Sequence, residues 1–238
     1  MIKMKSIVFD AGPVISLTTN NLLWTLDYLK EIFEGDFYIP QAVKVELVDR
    51  PINSKRFKFE ALQVVFRIRN AVLNVIETPK IQLLAEELLE LANHTFKSKG
   101  NWVRIVHYAE MEVLATAIVL NSSAVAIDER TTKLLIESPE QIAKMLEHKS
   151  RIKVTINKTN LSKLKNWLKN IRVIRSVELV MVAYEKGILN KYLPEGEGAD
   201  KILVDSLLWG VKLHGCAISR EEISEIVRIE TSKEFRNR

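Results

Sequence analysis

The stretch Glu110-Met-Glu-Val-Leu-Ala-Thr-Ala-Ile-Val-Leu-Asn-Ser-Ser-Ala-Val-Ala-Ile-Asp128 leaves a chain few folds to choose from. In its first half Val113, Ala117 and Leu120 recur at helical spacing with Leu114 and Ile118 beside them, which predicts a buried helix. Ala124 to Ile127 is then apolar at every position, and a strand with no polar side belongs in a sheet covered on both faces. Such sheets are parallel, because the helical crossovers that join parallel strands also supply the cover. One carboxylate opens the helix and another closes the strand. In an open α/β sheet functional groups gather beyond the carboxyl ends of the strands, so Asp128 falls where a site would be built.

The same strand-then-helix order recurs from the start of the chain. Lys5 to Phe9 reads as a buried strand ending on Asp10, and Pro13 opens a helix expected to run to about Phe33. After Gly35-Asp36, Phe37 to Ile39 is a second strand, and Pro40 begins a helix with Val43 and Leu47 inward and Glu46 along it. Arg56 to Val72 alternates basic and apolar positions, Asn74 to Ile76 is a strand or a helix end, Ile81 to Phe96 is an amphipathic helix, and Lys97 to Gly100 is a loop. Beyond Asp128 a helix runs to Glu137. Ser138-Pro-Glu-Gln141 has the form of a capping box that starts another. Lys153 to Ile156 and Arg172 to Ile174 read as strands around a basic helix, Leu161 to Ile171. Val177 to Lys186 is a helix ending at Gly187, and two C-terminal helices occupy about 199–235, the second behind a capping box at Ser219-Arg-Glu-Glu222. The whole, 1–238, reads as one α/β domain with a mostly parallel central sheet.

Charge and cysteine usage narrow the function. No apolar run reaches the roughly 18 residues of a membrane span, and the first ten residues turn polar too soon for a secretory signal, so no membrane role is expected. The single cysteine, Cys216, rules out an internal disulfide and fits a reducing cytoplasm. It and four scattered histidines offer no zinc-ligand spacing, so any metal would be held by oxygen. The net charge of +5 is concentrated in 139–170, where Lys144, Lys149, Arg151, Lys153, Lys158, Lys163, Lys165 and Lys169 face only Glu140 and Glu147. That segment predicts contacts to a nucleic-acid backbone, its bland alternative being a lysine-rich solvated face.

Four acids, Asp10, Glu46, Glu110 and Asp128, each fall at a strand end or on the helix beside one. Singly, each has a structural explanation as a helix cap, a favourable charge at a helix N-terminus or a solvent residue. Jointly, like charges at neighbouring strand ends repel unless a cation neutralises them. Mg²⁺ or Mn²⁺ suits an all-oxygen site that leaves water positions free for phosphate. Glu112 points about 200° round the helix from Glu110, so the two do not share one ion.

At these residues the chain resembles the PIN domain family. Ile7-Val-Phe-Asp10-Ala-Gly-Pro-Val-Ile is similar to the family's opening motif, and Ile39-Pro-Gln-Ala-Val-Lys-Val-Glu46-Leu to its second. Ala109-Glu110-Met-Glu112-Val-Leu-Ala-Thr-Ala resembles the third, and Ala126-Ile-Asp128-Glu-Arg130 the fourth. The 18-residue step from Glu110 to Asp128 is similar to the family's and favours Glu110 over Glu112 as a ligand. Val173-Ile-Arg-Ser176 and Leu213-His-Gly-Cys-Ala-Ile-Ser219 resemble the tail of an archaeal and bacterial subgroup. The resemblance implies a three-layer α/β/α fold, metal-dependent cleavage of RNA, frequent homodimers and, in many relatives, a toxin role restrained by an antitoxin. Gly12 stands where many members have a small hydroxyl residue, Ala109 where they have glycine, and the basic 139–170 where they have a short connection. On this reading Asp10, Glu46, Glu110 and Asp128 form the metal cage, Arg130 contacts phosphate, Ser176 is a donor behind the ligands, and Glu112 is a candidate for the same supporting layer. Two other classes compete. A PIN-like scaffold would bind RNA without cutting it. A haloacid-dehalogenase-like phosphatase, suggested by Val8-Phe-Asp10-Ala-Gly12, would need a second aspartate where Gly12 stands.

Overall fold

The computed structural model describes residues 5–232. The N-terminal Met1 to Met4 and the predicted end of the last helix beyond 232 lie outside the described residues. In chain order, β1 (Ser6–Phe9) leads into α1 (Ala11–Thr19) and α2 (Thr25–Phe33), and β2 (Asp36–Pro40) into α3 (Gln41–Lys44). The helix continues through a π-helical turn (Val45–Asp49) into α4 (Arg50–Ile52). Then come α5 (Lys58–Arg69), β3 (Asn74–Ile76), α6 (Pro79–Asn93) and a hairpin of β4 (Phe96–Ser98) and β5 (Asn101–Trp102). After α7 (Tyr108–Leu120) follow β6 (Ala124–Ala126), α8 (Arg130–Glu137), α9 (Glu140–Ser150), β7 (Val154–Ile156) and α10 (Lys158–Leu168). The chain closes with β8 (Val173–Ile174), α11 (Ser176–Glu185), α12 (Ala199–Leu213) and α13 (Arg220–Glu230).

The central sheet has five parallel strands in the order β3-β2-β1-β6-β8. Chain order therefore reverses between β1 and β6, which pair with Phe9 opposite Ala126. The three inner strands supply Val8, Phe9, Ile39 and Val125, none of them solvent-accessible. Covering helices meet them with equally buried side chains, Met111, Val113 and Leu114 from α7 and Val14 and Leu17 from α1. The result is a three-layer α/β/α fold, and every pairing in its main sheet is parallel.

Several local expectations change. The predicted helix from Pro13 to Phe33 is two helices, because Asn21 adopts φ +56° and Asn20 donates its side-chain amide back to Ser16 O at 2.7 Å. Turn chemistry here overrides an apolar spacing that ran straight on. Lys97 to Gly100 is not a loop but the tip of a hairpin, with Lys99 and Gly100 at φ +47° and +83°. At Ser138 no side-chain cap forms, and Gln141 N bonds the Ser138 carbonyl instead. The capping box at Ser219 does form, with Glu222 N donating to Ser219 Oγ at 3.0 Å.

The basic segment is a folded part of the domain. It comprises α9, β7 and α10, and β7 pairs antiparallel with β4 to make a second sheet, β5-β4-β7. Leu161, Leu164 and Leu168 bury one face of α10. Trp167 on that helix joins Leu83, Leu84, Ile118 and Val119 around one groove. Nine residues of helix separate Glu110 from Val119, roughly 13 Å along the axis, so this groove lies toward the other end of α7 from its first acid. Among the described residues no helix is long and apolar enough to cross a membrane.

Candidate active site

The reversal between β1 and β6 opens a crevice at the carboxyl ends of those strands, and there the structure builds a cleft of about 760 Å³. Asp10, Gly12, Glu46, Arg50, Tyr108, Glu110 and Glu129 are among the residues that line it. Asp10 leaves β1 with its N–H bonded to Ala126 O at 2.9 Å, and it holds the position before α1 without capping that helix. Glu46 sits in the π-turn and Glu110 in the first turn of α7, so three chain segments deliver three carboxylates to one space.

Their electrostatics are those of a like-charged cluster. Burial first, then the charges of Glu110 and Glu46, raise the Asp10 pKa from its ordinary 3.8 to about 7, against the N–H groups of Ala11 and Gly12, which favour the carboxylate. Burial also raises Glu110, helped by Glu129 and Glu46 and opposed by the His107 N–H and Arg104. Among the described residues none of Asp10, Glu46, Glu110 and Asp128 is in an ion pair.

Asp128 stands apart from that trio. It is 3% exposed and lies behind Gly12, where a Cβ would come within 3.3 Å of Asp128 Cβ and 3.7 Å of Asp10 Oδ2. Glycine at position 12 thus leaves the space between the two aspartates open, and a side chain there would need Asp128 to give by a few tenths of an ångström. Asp128 Oδ1 accepts from Ser176 N at 2.7 Å. Oδ2 is buried with no hydrogen-bond partner, as is Ser176 Oγ, although Ser176 and Cys216 face the carboxylate closely enough to offset part of the rise that burial imposes on its pKa. The same neighbourhood pushes the Cys216 thiol up to about 12, through burial and the charge of Asp128, so this cysteine is inert.

An orphaned buried carboxylate oxygen, and an Asp10 whose proton affinity burial and the charges of Glu110 and Glu46 raise, form a donor set that fits a hard divalent cation. Among the described residues no three His, Cys, Asp or Glu side chains are already drawn together tightly enough to ligate one ion. Of the four expected acids, Asp10, Glu46 and Glu110 line the cleft, and Asp128 is not among its lining residues.

Glu112 is committed elsewhere. It is 2% exposed, and its Oε2 accepts the Ala42 N–H at 2.7 Å, capping α3 from a neighbouring helix. Glu112→Ala should cost about 1–2 kcal/mol in thermal unfolding by orphaning that N–H, whereas Glu110→Gln should leave stability nearly unchanged and remove activity. The reverse pattern would make Glu112 the functional acid. Arg130 is exposed and lines a separate groove with Lys133, Arg175 and Glu222 rather than the cleft. None of the eight basic residues of 139–170 lines the cleft either, and Lys165 is paired with Glu140.

Sequence reasoning did not single out Arg50, Tyr108 or Glu129, all of which line the cleft. Arg50 follows Glu46 by four residues, the spacing of one helix face, and that signal was available. Glu129 is a helix cap, accepting Thr132 N at 2.6 Å, and only the fold turns it toward Glu110.

The fold and cleft define a doubly wound α/β protein whose acids gather at the topological switch point. More narrowly, the chain belongs to the PIN domain family: a family model described as a PIN domain matches residues 6–137, more than half of the chain. Comparison with the curated proteins and with the solved structures gives no match. The matched region carries all four acids and ends before the basic segment, Ser176 and the C-terminal helices. PIN domains have a nuclease-type fold, are generally hydrolases and typically use divalent metals.

Proposed function

We propose that the protein is an Mg²⁺- or Mn²⁺-dependent endoribonuclease. The observation that carries this reading is Asp10, a carboxylate pushed to about 7 at a strand end, facing a cleft with Glu46 and Glu110. Asp10 and Glu110 would hold the metal directly or through water, and Asp128, with its unmet Oδ2, would anchor the far side. When bound, the ion would supply a positive centre that neutralises these acids and the charge that builds on a phosphate. Glu46, the exposed member, would accept a proton from the attacking water, and Arg50, which also lines the cleft, would draw a phosphate toward the acids. Tyr108, with its pKa pushed up to about 12 by burial and by Glu112, stays a neutral hydroxyl donor at the wall.

The test is cleavage of a labelled RNA with Mn²⁺, with EDTA, and with Asp10→Asn. Activity that survives both treatments rejects the metal mechanism. RNA binding without cleavage by the wild type would make the protein a scaffold. The basic helices belong to the same proposal as a backbone grip on longer RNA. Replacing Lys163, Lys165 and Lys169 with Gln should lower the salt slope of RNA binding by up to about 2, at roughly 0.7 per single-strand phosphate contact. An unchanged slope returns that face to solvent. A toxin role with a protein antitoxin, and a homodimer, extend the proposal, and co-expression with a neighbouring gene product and the mass in solution would test them.

A further inference from the structure

The second sheet, β5-β4-β7, has two unlike faces. Residues directly opposite one another on antiparallel strands share a face, and along each strand the faces alternate. Phe96 and Ile156 are opposite partners and turn inward with Val103 and Val154, all packed into the core. Lys97 pairs with Trp102 on one side and with Thr155 on the other, so these three stand in a row across the outer face, with Lys153 two residues before Thr155. Trp102, Lys153 and Thr155 are exposed, the indole at 43%.

This outer face is basic with no counter-charge of its own. Neither 91–109 nor 148–177 contains an aspartate or a glutamate. Two acids border the sheet and both are engaged, Glu90 with the His94 ring at 3.0 Å and Glu147 with the Val154 N–H at 2.8 Å. The Lys97 ammonium lies 5.0 Å from the Trp102 ring centroid, and His94 meets the same ring edge-on at 5.4 Å. Lysines on edge strands commonly keep sheets from pairing with one another. Lys97, however, is on the central strand, and a bare indole works against that purpose. A face meant for another protein is poor in lysine at its centre. An indole set among lysines on an open sheet suits a polyanion that also carries flat rings, which is a nucleic acid.

The face lies outside the acid cleft and on the approach to it. Val103 N still bonds Phe96 O at 2.9 Å, and Arg104 beyond it is exposed and near enough to Glu110 to lower its proton affinity. His107, which lines the cleft, follows Trp102 by a length of chain that spans at most about 18 Å. We propose that Lys97, Trp102 and Lys153 form an exosite that holds RNA beyond the scissile bond, so that affinity grows with the length of the strand. That a polyanion docks here rests on the sheet face; that it is RNA running on to the cleft rests on the nuclease reading.

Binding rather than cutting is the test. In the full chain carrying Asp10→Asn, fluorescence anisotropy compares an RNA oligonucleotide short enough to occupy the cleft alone with one several times longer. Lys97→Gln with Lys153→Gln is expected to weaken the longer RNA about tenfold, to lower its salt slope by about 1.4 at roughly 0.7 per phosphate contact, and to leave the shorter RNA unmoved. Trp102→Ala alone should weaken the longer RNA about fivefold or more, with Trp102→Phe restoring it. The packed inner face is untouched by these changes, and an unchanged melting temperature confirms that the fold is intact. Long-RNA affinity equal to that of the parent overturns the exosite, as does an equal loss for the shorter RNA. Binding of the parent to phosphatidylserine vesicles through the same residues, with RNA affinity retained in the variants, also overturns it and makes the face a membrane-surface contact. Length-dependent binding through Lys97 and Trp102 by a wild type that cuts nothing with Mn²⁺ or Mg²⁺ upholds the exosite and removes the nuclease reading. Cleavage with binding indifferent to these residues does the opposite.

Discussion

Asp10→Asn is expected to end cleavage and, in the same protein stripped of metal, to raise the melting temperature. The buried carboxyl titrates near 7 in the folded chain and near 3.8 when free, so the folded state binds the proton more tightly. Its contribution to stability is therefore full below about pH 4 and is lost as pH climbs toward 7, a loss of up to about 4 kcal/mol at 1.36 kcal/mol per tenfold change in proton affinity. An uncharged amide removes that cost. At pH 8 with EDTA the variant should melt up to roughly 8–16 °C above the wild type, and at pH 4 the two should converge. If Asp10 is the ligand proposed, Mn²⁺ should then raise the wild type and leave the variant nearly unmoved. A variant that melts lower than wild type at pH 8 would mean that Asp10 is a structural residue rather than a strained functional one.

The second large effect is expected at Arg175. This side chain is 7% exposed and sends one nitrogen to Ala217 O at 3.0 Å and another to Glu178 and Glu222 at 2.6 Å each. Glu222 belongs to α13, and Ala217 in turn donates its N–H to Asp128 O at 3.0 Å. One guanidinium thus ties the C-terminal helices to the strand end that carries an acid of the site. Arg175→Ala removes a buried cation from two carboxylates that are themselves 44% and 38% exposed, so water takes up part of the loss and the cost is about 1–3 kcal/mol. A fall in melting temperature on the order of 5 °C follows, with Arg175→Lys intermediate because a single ammonium cannot reproduce the fork. Metal affinity should fall with it, through the loosened Asp128. A shift under 2 °C would show that the C-terminal helices are held by their apolar faces alone.

The parallel sheet was readable because Ile7 to Phe9 and Ala124 to Ile127 carry no polar side, and the placement of Asp10 and Asp128 at neighbouring strand ends follows from that alone. What the order of residues does not carry is depth. Asp10 and Asp128 look equivalent as the last residues of buried strands, yet one faces the cleft and the other lies behind Gly12, a distinction set by how α1 leaves β1. Glu112 and Glu110 looked like rivals until the Ala42 N–H claimed the former. The basic segment was legible as charge, as a strand and as helices, but not as a partner of β4, because that pairing is a long-range event carried by strands of three residues, with Lys97 and Ser98 polar on one and Thr155 on the other. The break at Asn20-Asn21 lost to a hydrophobic spacing that happened to continue through it.

The widened turn at Val45–Asp49 places Glu46 by counting rather than by contact. A π-turn holds one residue more than the helix around it, which here leaves Glu46 exposed while Leu47 and Val48 stay in the core. Taking out Val45 would let an ordinary helix run straight through, with every carboxylate of the chain still present and the buried Leu47 and Val48 kept. The proposed activity would then be lost by arithmetic alone, the aim of Glu46 turned by a fraction of a helical revolution.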